Sequence, residues 1–392
     1  MVIKIIFWLT LFIIVYSYVG YGILLFVLVQ IKKLLRKFPK QEQTTYEPEV
    51  TLVVAAYNEE DFIHTKIENT LALDYPRNKL QVIFITDGSS DSTPDIIRKY
   101  PFELLHQPER RGKVAAMNRA IAYVKAPIVV FCDANTLLNT ACIRELVKHY
   151  TNPKVGAVAG EKKVIAGEDA QAAGAGEGLY WKYESWLKKL DSDLYSVVGA
   201  AGELFSVRTH LFEKAAEDTI IEDFVQSLKV CMKGYVVRYE PGAYAMESGS
   251  LSIRDEQKRK VRICAGAFQA MGMLKELFNV FKYPVLSFQF ISHRILRWTL
   301  CPVSLVLLLV ANIILVWQRA GWFYDVFLGM QLFFYLLAVT GWIYANRNIR
   351  LKLLYVPYYF LFMNMSVFLG FSRFLQRRQS VLWEKAARKK AA

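Results

Sequence analysis

A disulfide framework is not predicted for this sequence, because its few cysteines show no paired spacing. The five are Cys132, Cys142, Cys231, Cys264 and Cys301. Zinc sites and disulfide scaffolds use closely paired cysteines, so both are excluded. Unpaired thiols fit a reducing cytosol, where we expect them to be buried as small apolar side chains. Internal repeats and low-complexity segments are also missing.

Charge is almost absent from the first 31 residues, where Lys4 stands alone between Val2 and Ile31. A helix of about 20 apolar residues crosses a bilayer core. The stretch is too long for the apolar region of a signal peptide, and no small-residue cleavage site follows it. The basic residues from Lys32 to Lys40 indicate the cytoplasmic side. We predict an uncleaved anchor over 1–31, its N-terminus outside, and a basic juxtamembrane linker over 32–48.

Three more stretches of low charge lie near the other end: Cys301–Trp317, Val326–Ala345 and Leu353–Phe371. Few ionisable residues interrupt them, which disfavours a transporter. We predict a transmembrane region over 299–372 and a basic tail over 373–392. Three crossings would leave the tail outside, whereas its positive charge prefers the inside. The third stretch is therefore left open as a span or as a re-entrant or interfacial segment, because it contains Pro357, Asn364 and Ser366.

The net charge is +14, from 49 lysines and arginines against 35 acidic residues. Much of the excess lies beside the apolar stretches, where anionic lipid accounts for it. Membrane lipid is therefore predicted as a partner, and nucleic acid is not. Apolar and basic residues also intermingle from Lys282 to Trp298. We interpret 275–298 as an amphipathic interfacial segment, with an ordinary linker helix as the alternative.

Residues 49–274 alternate short apolar runs with longer segments of helical period. The runs of strand length are Val50–Ala56, Gln81–Thr86 and Pro127–Cys132. This alternation predicts an α/β fold with a mostly parallel sheet covered by helices on both faces. Such sheets bind ligands beyond the carboxyl ends of their strands, which is where we look for chemistry.

Each of the three runs ends in polar residues: Tyr57-Asn58-Glu59-Glu60, Asp87-Gly88-Ser89-Ser90-Asp91 and Asp133-Ala134-Asn135. One such cluster could be a helix cap. Three at the same edge of a sheet favour a ligand site. Asp133 suits a hard divalent cation. Arg110, Arg111 and Lys113 lie around a predicted helix start, where they would favour phosphate, unless they form a solvated turn.

Taken together, these motifs resemble family 2 glycosyltransferases with the GT-A fold, a Rossmann-like α/β domain. The residues that carry the resemblance are Ala55–Glu59, Thr86–Asp91, Gly112-Lys113 with Asn118, and Asp133–Asn135. It implies a nucleotide-diphosphate sugar donor, with a UDP-sugar favoured, and Mg²⁺ or Mn²⁺ as cofactor. It assigns donor binding to Ala56, Tyr57, Asn58, Glu59, Asp87, Lys113, Asn118 and Asp133. It assigns the metal to Asp133, with Asn135 where the family carries a second Asp.

The second half of this block supplies an acceptor side. Glu222-Asp223 opens a predicted helix that runs to Lys233, so capping through the helix dipole is one reading. The pair also resembles the Thr-Glu-Asp motif of membrane synthases of cellulose, chitin and hyaluronan. That resemblance implies that Asp223 is the catalytic base, with Glu222 beside it. A carboxylate that takes the acceptor's hydroxyl proton activates it for attack, and one direct displacement inverts the anomeric centre.

Two further segments resemble the same synthases. Gly199–Phe205 is similar to their acceptor-side strand and turn, which makes Gly202 and Glu203 acceptor-side candidates. Their Gln-x-x-Arg-Trp motif has its nearest counterpart at Arg259–Ile263, which makes Arg259 and Arg262 donor-binding candidates. The Gln and Trp of that motif are absent here, which puts processive polymerisation in doubt. A basic helix face on lipid is the alternative for this segment.

We therefore predict a multi-pass inner-membrane glycosyltransferase whose cytoplasmic catalytic domain covers 49–274. Its acceptor would be a growing polysaccharide or a lipid-linked glycan. A single addition to a polyprenyl phosphate or glycolipid is the alternative, and product length distinguishes the two. A catalytically inactive membrane scaffold or a transporter is an alternative of another class, which a test of donor binding would separate.

Overall fold

The computed structural model describes residues 1–35, 46–165, 174–248, 253–347, 349, 351–377, 379–380 and 382. Most of the predicted basic linker and tail lies outside these residues. Eight strands are described: β1 Val50–Ala56, β2 Leu80–Asp87, β3 Glu103–Gln107, β4 Ile128–Asp133, β5 Leu137–Leu138, β6 Val155–Ile165, β7 Leu204–Arg208 and β8 Val236–Ser248. They form one sheet.

The α-helices surround this sheet and extend from it. In chain order they are α1 Val2–Val15, α2 Tyr21–Leu35, α3 Ile63–Leu71, α4 Thr93–Ile97, α5 Lys113–Ala120, α6 Cys142–Val147, α7 Gly174–Leu194, α8 Glu222–Met232, α9 Ile253–Met273, α10 Pro284–Phe290, α11 Leu296–Trp298, α12 Leu300–Trp317, α13 Trp322–Asn346 and α14 Lys352–Leu375. A π-helical turn joins α1 to α2, and another joins α10 to α11.

The sheet has the strand order β3-β2-β1-β4-β7-β6-β8-β5. Strands β1 to β4 are mutually parallel, with Val50 opposite both Leu80 and Ile128. Strand β7 enters antiparallel to β4 and pairs antiparallel with β6, so the second half of the sheet is mixed. The predicted α/β fold is confirmed, and the carboxyl ends of β1, β2 and β4 meet at one edge.

The central strands are apolar along their whole length because both faces of the sheet are covered. Along β1, Val53 belongs to the core on one face, while Leu52 and Val54 belong to the core on the other. The helices that cover both faces explain why these strands show continuous apolar runs in place of the alternation typical of a half-exposed strand.

In the part of the chain that the structure describes, four helical stretches are long and apolar enough to cross a bilayer: Val2–Leu35, Leu300–Trp317, Trp322–Asn346 and Leu353–Leu375. Near the start of the chain, Phe7 is fully buried against α12 and α13. Its ring meets that of Tyr324 edge to face, with 5.1 Å between centroids. Pro357 lies inside α14 without ending it.

Between the sheet and the apolar helices lies a set of buried and half-buried ionisable residues, which we call the junction cluster: Glu184, Asp191, His293, Arg294 and Arg297. Arg297 Nη1 lies 2.5 Å from Glu184 Oε1, and His293 Nδ1 lies 2.6 Å from Asp191 Oδ2. Within the predicted interfacial segment 275–298, the later residues are thus drawn inside the protein. The exposed apolar side chains of that segment cluster earlier, from Phe278 to Val285.

Candidate functional site

The loops after β1 and β2 are bonded to each other. The Asn58 backbone N–H donates to Ser89 Oγ at 3.1 Å, and the Ser90 N–H donates to Asn58 Oδ1 at 2.8 Å. The Glu59 N–H donates to Thr93 Oγ1 at 2.8 Å. Asn58 has φ of +51°, a left-handed conformation that asparagine tolerates. Asn58 and Glu59 therefore help to shape the rim of the crevice.

Asp87, at the end of β2, holds the segment that precedes α5. Its carboxylate accepts hydrogen bonds from the backbone N–H groups of Arg111, at 3.1 Å, and Gly112, at 2.6 Å. The Arg110 guanidinium stacks over the Tyr57 ring, 3.7 Å from its centroid. Ala56 is buried at the end of β1, just before this ring. A positive charge is thus fixed beside the carboxyl ends of β1 and β2.

Four ionisable side chains from distant parts of the chain meet in the crevice, and we call them the cleft cluster: Lys113, Asp133, Glu222 and Asp223. Lys113 Nζ lies 2.7 Å from Asp133 Oδ1 and 3.4 Å from Glu222 Oε1. A Cβ added to Gly202 would lie 3.2 Å from both Asp223 Oδ2 and Lys113 Nζ. The starts of α5 and α8 and the end of β4 therefore converge, with Gly202 leaving space between them.

The electrostatics of this cluster favour a neutral form of one carboxyl group. Burial raises the pKa of Asp223 to about 7, and the neighbouring Glu222 carboxylate acts in the same direction. Burial by itself would lower the pKa of Lys113, but Asp133 and Glu222 raise it above its usual range. Three carboxyl groups thus face one ammonium group. An environment that moves a carboxyl pKa this far is typical of functional sites.

Arg262, on α9, belongs to the same electrostatic environment. Burial lowers the pKa of its guanidinium, while Glu222, Asp223 and Asp133 act to raise it. The structure therefore brings the predicted donor-binding Arg262 near the carboxylates of the cleft cluster.

The residues present fit a hard divalent cation that also binds phosphate. Asn135 Oδ1 is buried and has no hydrogen-bond partner among the described residues, two positions after Asp133. A carboxylate and an amide oxygen are suitable ligands for Mg²⁺ or Mn²⁺. Within the described ranges, no group of three His, Cys, Asp or Glu side chains could hold a metal. A bound diphosphate and water would supply the remaining ligands.

Asn118 lines a small cavity together with Glu222, and its side-chain amide is bonded to the backbone there. Its amide donates to the Ala215 carbonyl at 2.7 Å and accepts from the Ala215 N–H at 3.1 Å. Both ends of the amide thus fasten the loop after β7, so Asn118 contacts the site through the backbone it supports.

Glu203 and Arg259 are also engaged with protein partners. Glu203 pairs with Lys162, which pairs with Glu247 as well. Although burial opposes it, this ammonium holds the pKa of Glu203 well below its usual range. Arg259 Nε lies 2.9 Å from Glu256 Oε2 on its own helix. The Arg259 guanidinium also acts on the Glu203 carboxylate, which in turn acts on Asp223 of the cleft cluster.

Sequence reasoning missed two residues of α3 that support the metal-motif loop. Lys66 is fully buried and donates to the Thr136 carbonyl at 2.8 Å. Asn69 donates to the Leu138 carbonyl at 2.7 Å. A lysine on a helix is ordinarily solvated. The available signal was its position beside Ile63 and Ile67 on the apolar stripe of α3.

The class of fold is GT-A. A mannosyltransferase, PcManGT from Pyrobaculum calidifontis, solved in complex with GDP-Man and Mn²⁺, aligns with 94% of this chain over 99% of its own, with a TM-score of 0.68. At 23% identity this likeness shows the fold. Residues 51–215 match the model of glycosyl transferase family 2.

Two relatives are poly-beta-1,6-N-acetyl-D-glucosamine synthases. The protein of Staphylococcus aureus strain MSSA476 is 29% identical over 246 residues, which cover 59% of this chain and 57% of that protein. The protein of Staphylococcus epidermidis is 27% identical over 251 residues, which cover 61% and 58%. The chain therefore spans less than two thirds of the length of these relatives.

Proposed function

We propose that this protein is a membrane-bound inverting glycosyltransferase. It transfers a sugar from a nucleotide-diphosphate sugar to a glycan or a lipid-linked acceptor. The observation that carries the proposal is the cleft cluster, in which Lys113, Asp133 and Asp223 meet at the carboxyl edge of a family 2 domain.

The donor lies along the carboxyl ends of β1, β2 and β4. Asn58, Glu59 and Asp87 line the nucleoside side, and Lys113 faces the diphosphate. Asp133 and Asn135 would hold Mg²⁺ or Mn²⁺, which supplies positive charge that stabilises the departing diphosphate. The Lys113 ammonium, 2.7 Å from Asp133, adds fixed positive charge at the same place.

The acceptor enters beside Gly202, where the missing Cβ leaves room between Asp223 and Lys113. Asp223 takes the proton of the acceptor hydroxyl as its oxygen attacks the anomeric carbon. The bond from that carbon to the diphosphate breaks on the opposite face, and the diphosphate leaves with the bonding electrons. A pKa of about 7 suits a base at neutral pH. One displacement inverts the configuration.

The motif resemblance favours a UDP-sugar, and the relatives named as poly-beta-1,6-N-acetyl-D-glucosamine synthases make an N-acetylglucosamine donor the first to test. The solved mannosyltransferase was bound to GDP-Man, so GDP-sugars belong in the same donor panel. Single addition stays a second candidate, since the Arg259–Ile263 segment lacks the Gln and Trp of the synthases and Arg259 is paired with Glu256. A product ladder indicates polymerisation, and one discrete product indicates single addition.

The arrangement of the N-terminal helices supports a cytoplasmic catalytic domain. Lys32, near the end of α2, donates to the carbonyl groups of Asp193 and Leu194 at 2.7 and 2.6 Å. The sheet domain therefore lies on the side of the membrane where the basic residues are. By the positive-inside rule that side is the cytoplasm.

The test is Asp223→Asn, with purified protein, Mn²⁺ and a panel of UDP- and GDP-sugars. We expect transfer to fall by about 10²–10⁴-fold, because general-base catalysis contributes that much. Donor binding should change only a few-fold. Asp218→Asn, at an exposed carboxylate five residues upstream, is the control and should keep wild-type turnover. Normal turnover by Asp223→Asn would exclude Asp223 as the base, and no donor binding by the wild type would favour the inactive scaffold.

A further inference from the structure

Helix α14 has the length and composition of a membrane span. Its 24 residues extend about 36 Å, more than a bilayer core requires. Length alone does not show that α14 crosses the bilayer. The positions of its two ends and its middle in the fold decide this.

The start of α14 packs against the end of α13. A Cβ added to Gly341 would lie 2.3 Å from the Leu354 carbonyl oxygen, so the two helices are in close contact there. The opposite end of α13 packs against the first half of α1, where the Tyr324 ring meets Phe7. Helix α2, which continues α1 after the π-helical turn, reaches the sheet domain through Lys32. A crossing by α13 therefore returns the chain to the cytoplasmic side, where α14 begins.

The middle of α14 lies level with the junction cluster. Tyr18 Oη donates to Asn364 Oδ1 at 3.1 Å, and the Tyr18 and Phe360 rings are 4.9 Å apart. The preceding residue, Ser17, accepts a hydrogen bond from Arg297 Nε at 3.0 Å. Since the junction cluster joins the sheet domain to the apolar helices, the middle of α14 is still at that boundary.

The end of α14 packs on α9. A Cβ on Gly370 would lie 2.5 Å from Cys264 Cβ, and the Phe268 ring is 4.8 Å from Phe371 and 6.1 Å from Phe374. The first half of α9 is densely charged, as its sequence Arg254-Asp255-Glu256-Gln257-Lys258-Arg259-Lys260 shows. Such a helix does not belong in a bilayer core.

Helix α9 also belongs to the catalytic domain by its packing. A Cβ on Gly266 would lie 2.9 Å from Ile220 and 3.1 Å from Ile221, which directly precede Glu222. The end of α14 is therefore on the same side as its start and its middle.

We propose that α14 lies along the cytoplasmic surface of the bilayer and does not cross it. Its partner is the lipid of that leaflet, at the boundary of headgroups and acyl chains. The exposed apolar residues Met365, Phe368 and Leu369 are spaced three and four apart on one face, and at the end of the helix Phe371, Phe374 and Leu375 are exposed as well. Exposed Arg373 and Arg377 follow at the end of the helix, as in amphipathic helices that bind anionic lipid.

This placement removes the conflict between the charge of the tail and the number of spans. Three helices cross the bilayer. Helix α1 takes the chain from the outside to the cytoplasm, α12 takes it out again, and α13 returns it to the cytoplasm. A surface-bound α14 then leaves the basic tail in the cytoplasm, where its charge is favoured. Helix α9 lies between α14 and the segment that leads to Asp223, so lipid contact is one helix away from the cleft cluster.

Depth measurement in liposomes tests the proposal. A nitroxide label at Met365→Cys, in the middle of α14, is compared with one at Val306→Cys, near the middle of α12; the two native side chains are 58% and 53% exposed. The five native cysteines are buried, so labelling favours the new thiol. We expect the α12 label to favour collisions with oxygen and the α14 label to favour the water-soluble nickel reagent. Equal depths, or an α14 label shielded from both reagents, would overturn the proposal.

A second measurement needs no substitution. The full chain is fused at its C-terminus to green fluorescent protein or to alkaline phosphatase and expressed in a bacterium. We expect fluorescence and no phosphatase activity, because both α14 and the tail stay inside. An active phosphatase fusion would show that α14 crosses. Neither measurement depends on sugar transfer, so failure of the transferase assay and failure of this topology are separate results.

Discussion

The junction cluster and the cleft cluster are both groups of ionisable residues held inside the protein, and they are built differently. In the junction cluster, both Asp191 oxygens are satisfied: Oδ1 accepts from Tyr21 and Gln289, and Oδ2 faces His293. Glu184 is likewise shared among partners, with Arg297 on one oxygen and His293 and Arg294 on the other. In the cleft cluster, three carboxyl groups face the Lys113 ammonium and the nearby Arg262 guanidinium.

The pKa values follow this difference. Although burial opposes it, Arg297 and the other partners hold the pKa of Glu184 well below its usual range. The pKa of Asp223 is instead raised to about 7 by burial and by Glu222. Matched burial of charge is typical of a structural joint, whereas an excess of one sign leaves room for a cation and a proton transfer.

The largest effect on stability is expected at the junction. Glu184→Leu leaves Arg294 and Arg297 buried without their shared carboxylate, which costs about 3–5 kcal/mol of unfolding free energy. Thermal unfolding in detergent can be followed with a thiol-reactive dye, because all five cysteines are buried. Glu68→Leu, at an exposed site on α3, is the matched control. Equal melting of both variants would mean that the junction cluster does not act as a structural joint.

A smaller loss of stability is expected from Tyr21→Phe. This change removes the Tyr21 hydroxyl, which donates to Asp191 Oδ1 at 2.5 Å. A hydrogen bond to a charged group contributes about 1.5–3 kcal/mol. We expect the lower end of that range, because Gln289 still donates to the same oxygen. The same dye assay measures it, with Tyr123→Phe at an exposed ring as the control. A variant as stable as wild type would contradict tight pairing in the junction cluster.

The titration of Asp223 in the cleft cluster should determine the pH dependence of kcat/KM. The base is the carboxylate form of Asp223, so protonation below about pH 7 should lower kcat/KM tenfold per pH unit. Glu222→Gln removes a neighbouring negative charge. The fall of kcat/KM should therefore begin about one pH unit lower, equivalent to about 1.4 kcal/mol. If kcat/KM falls at the same pH in wild type and in Glu222→Gln, then Glu222 does not influence the pKa of the base.

The smallest effect is expected for the stability of Asp223→Asn. Because the variant removes a carboxylate from a cluster with excess negative charge, its unfolding free energy at pH 8 should be unchanged or raised by about 1 kcal/mol. The expected change in unfolding free energy is thus opposite in sign to that of Glu184→Leu, and the dye assay compares the two variants directly. A clear loss of stability would mean that Asp223 acts as a structural partner, as Glu184 does.

The sequence was sufficient for the parts of this protein that depend on local pattern. Continuous apolar runs predicted strands covered on both faces, and the polar residues after them predicted the edge where Asp87 and Asp133 lie. The family 2 resemblance is confirmed for residues 51–215. The roles of Asp223 and its neighbours stay predictions that the experiments above address.

The tertiary structure alone decided which side chains meet. Lys66 and Thr136 are 70 residues apart, and Tyr21 and Asp191 are 170 apart. Apolar periodicity reports which face of an element is buried, but it carries no information on the partner that covers it. For the same reason, composition made α14 long and apolar enough to cross a bilayer, while its packing on α9 placed its end beside the catalytic domain.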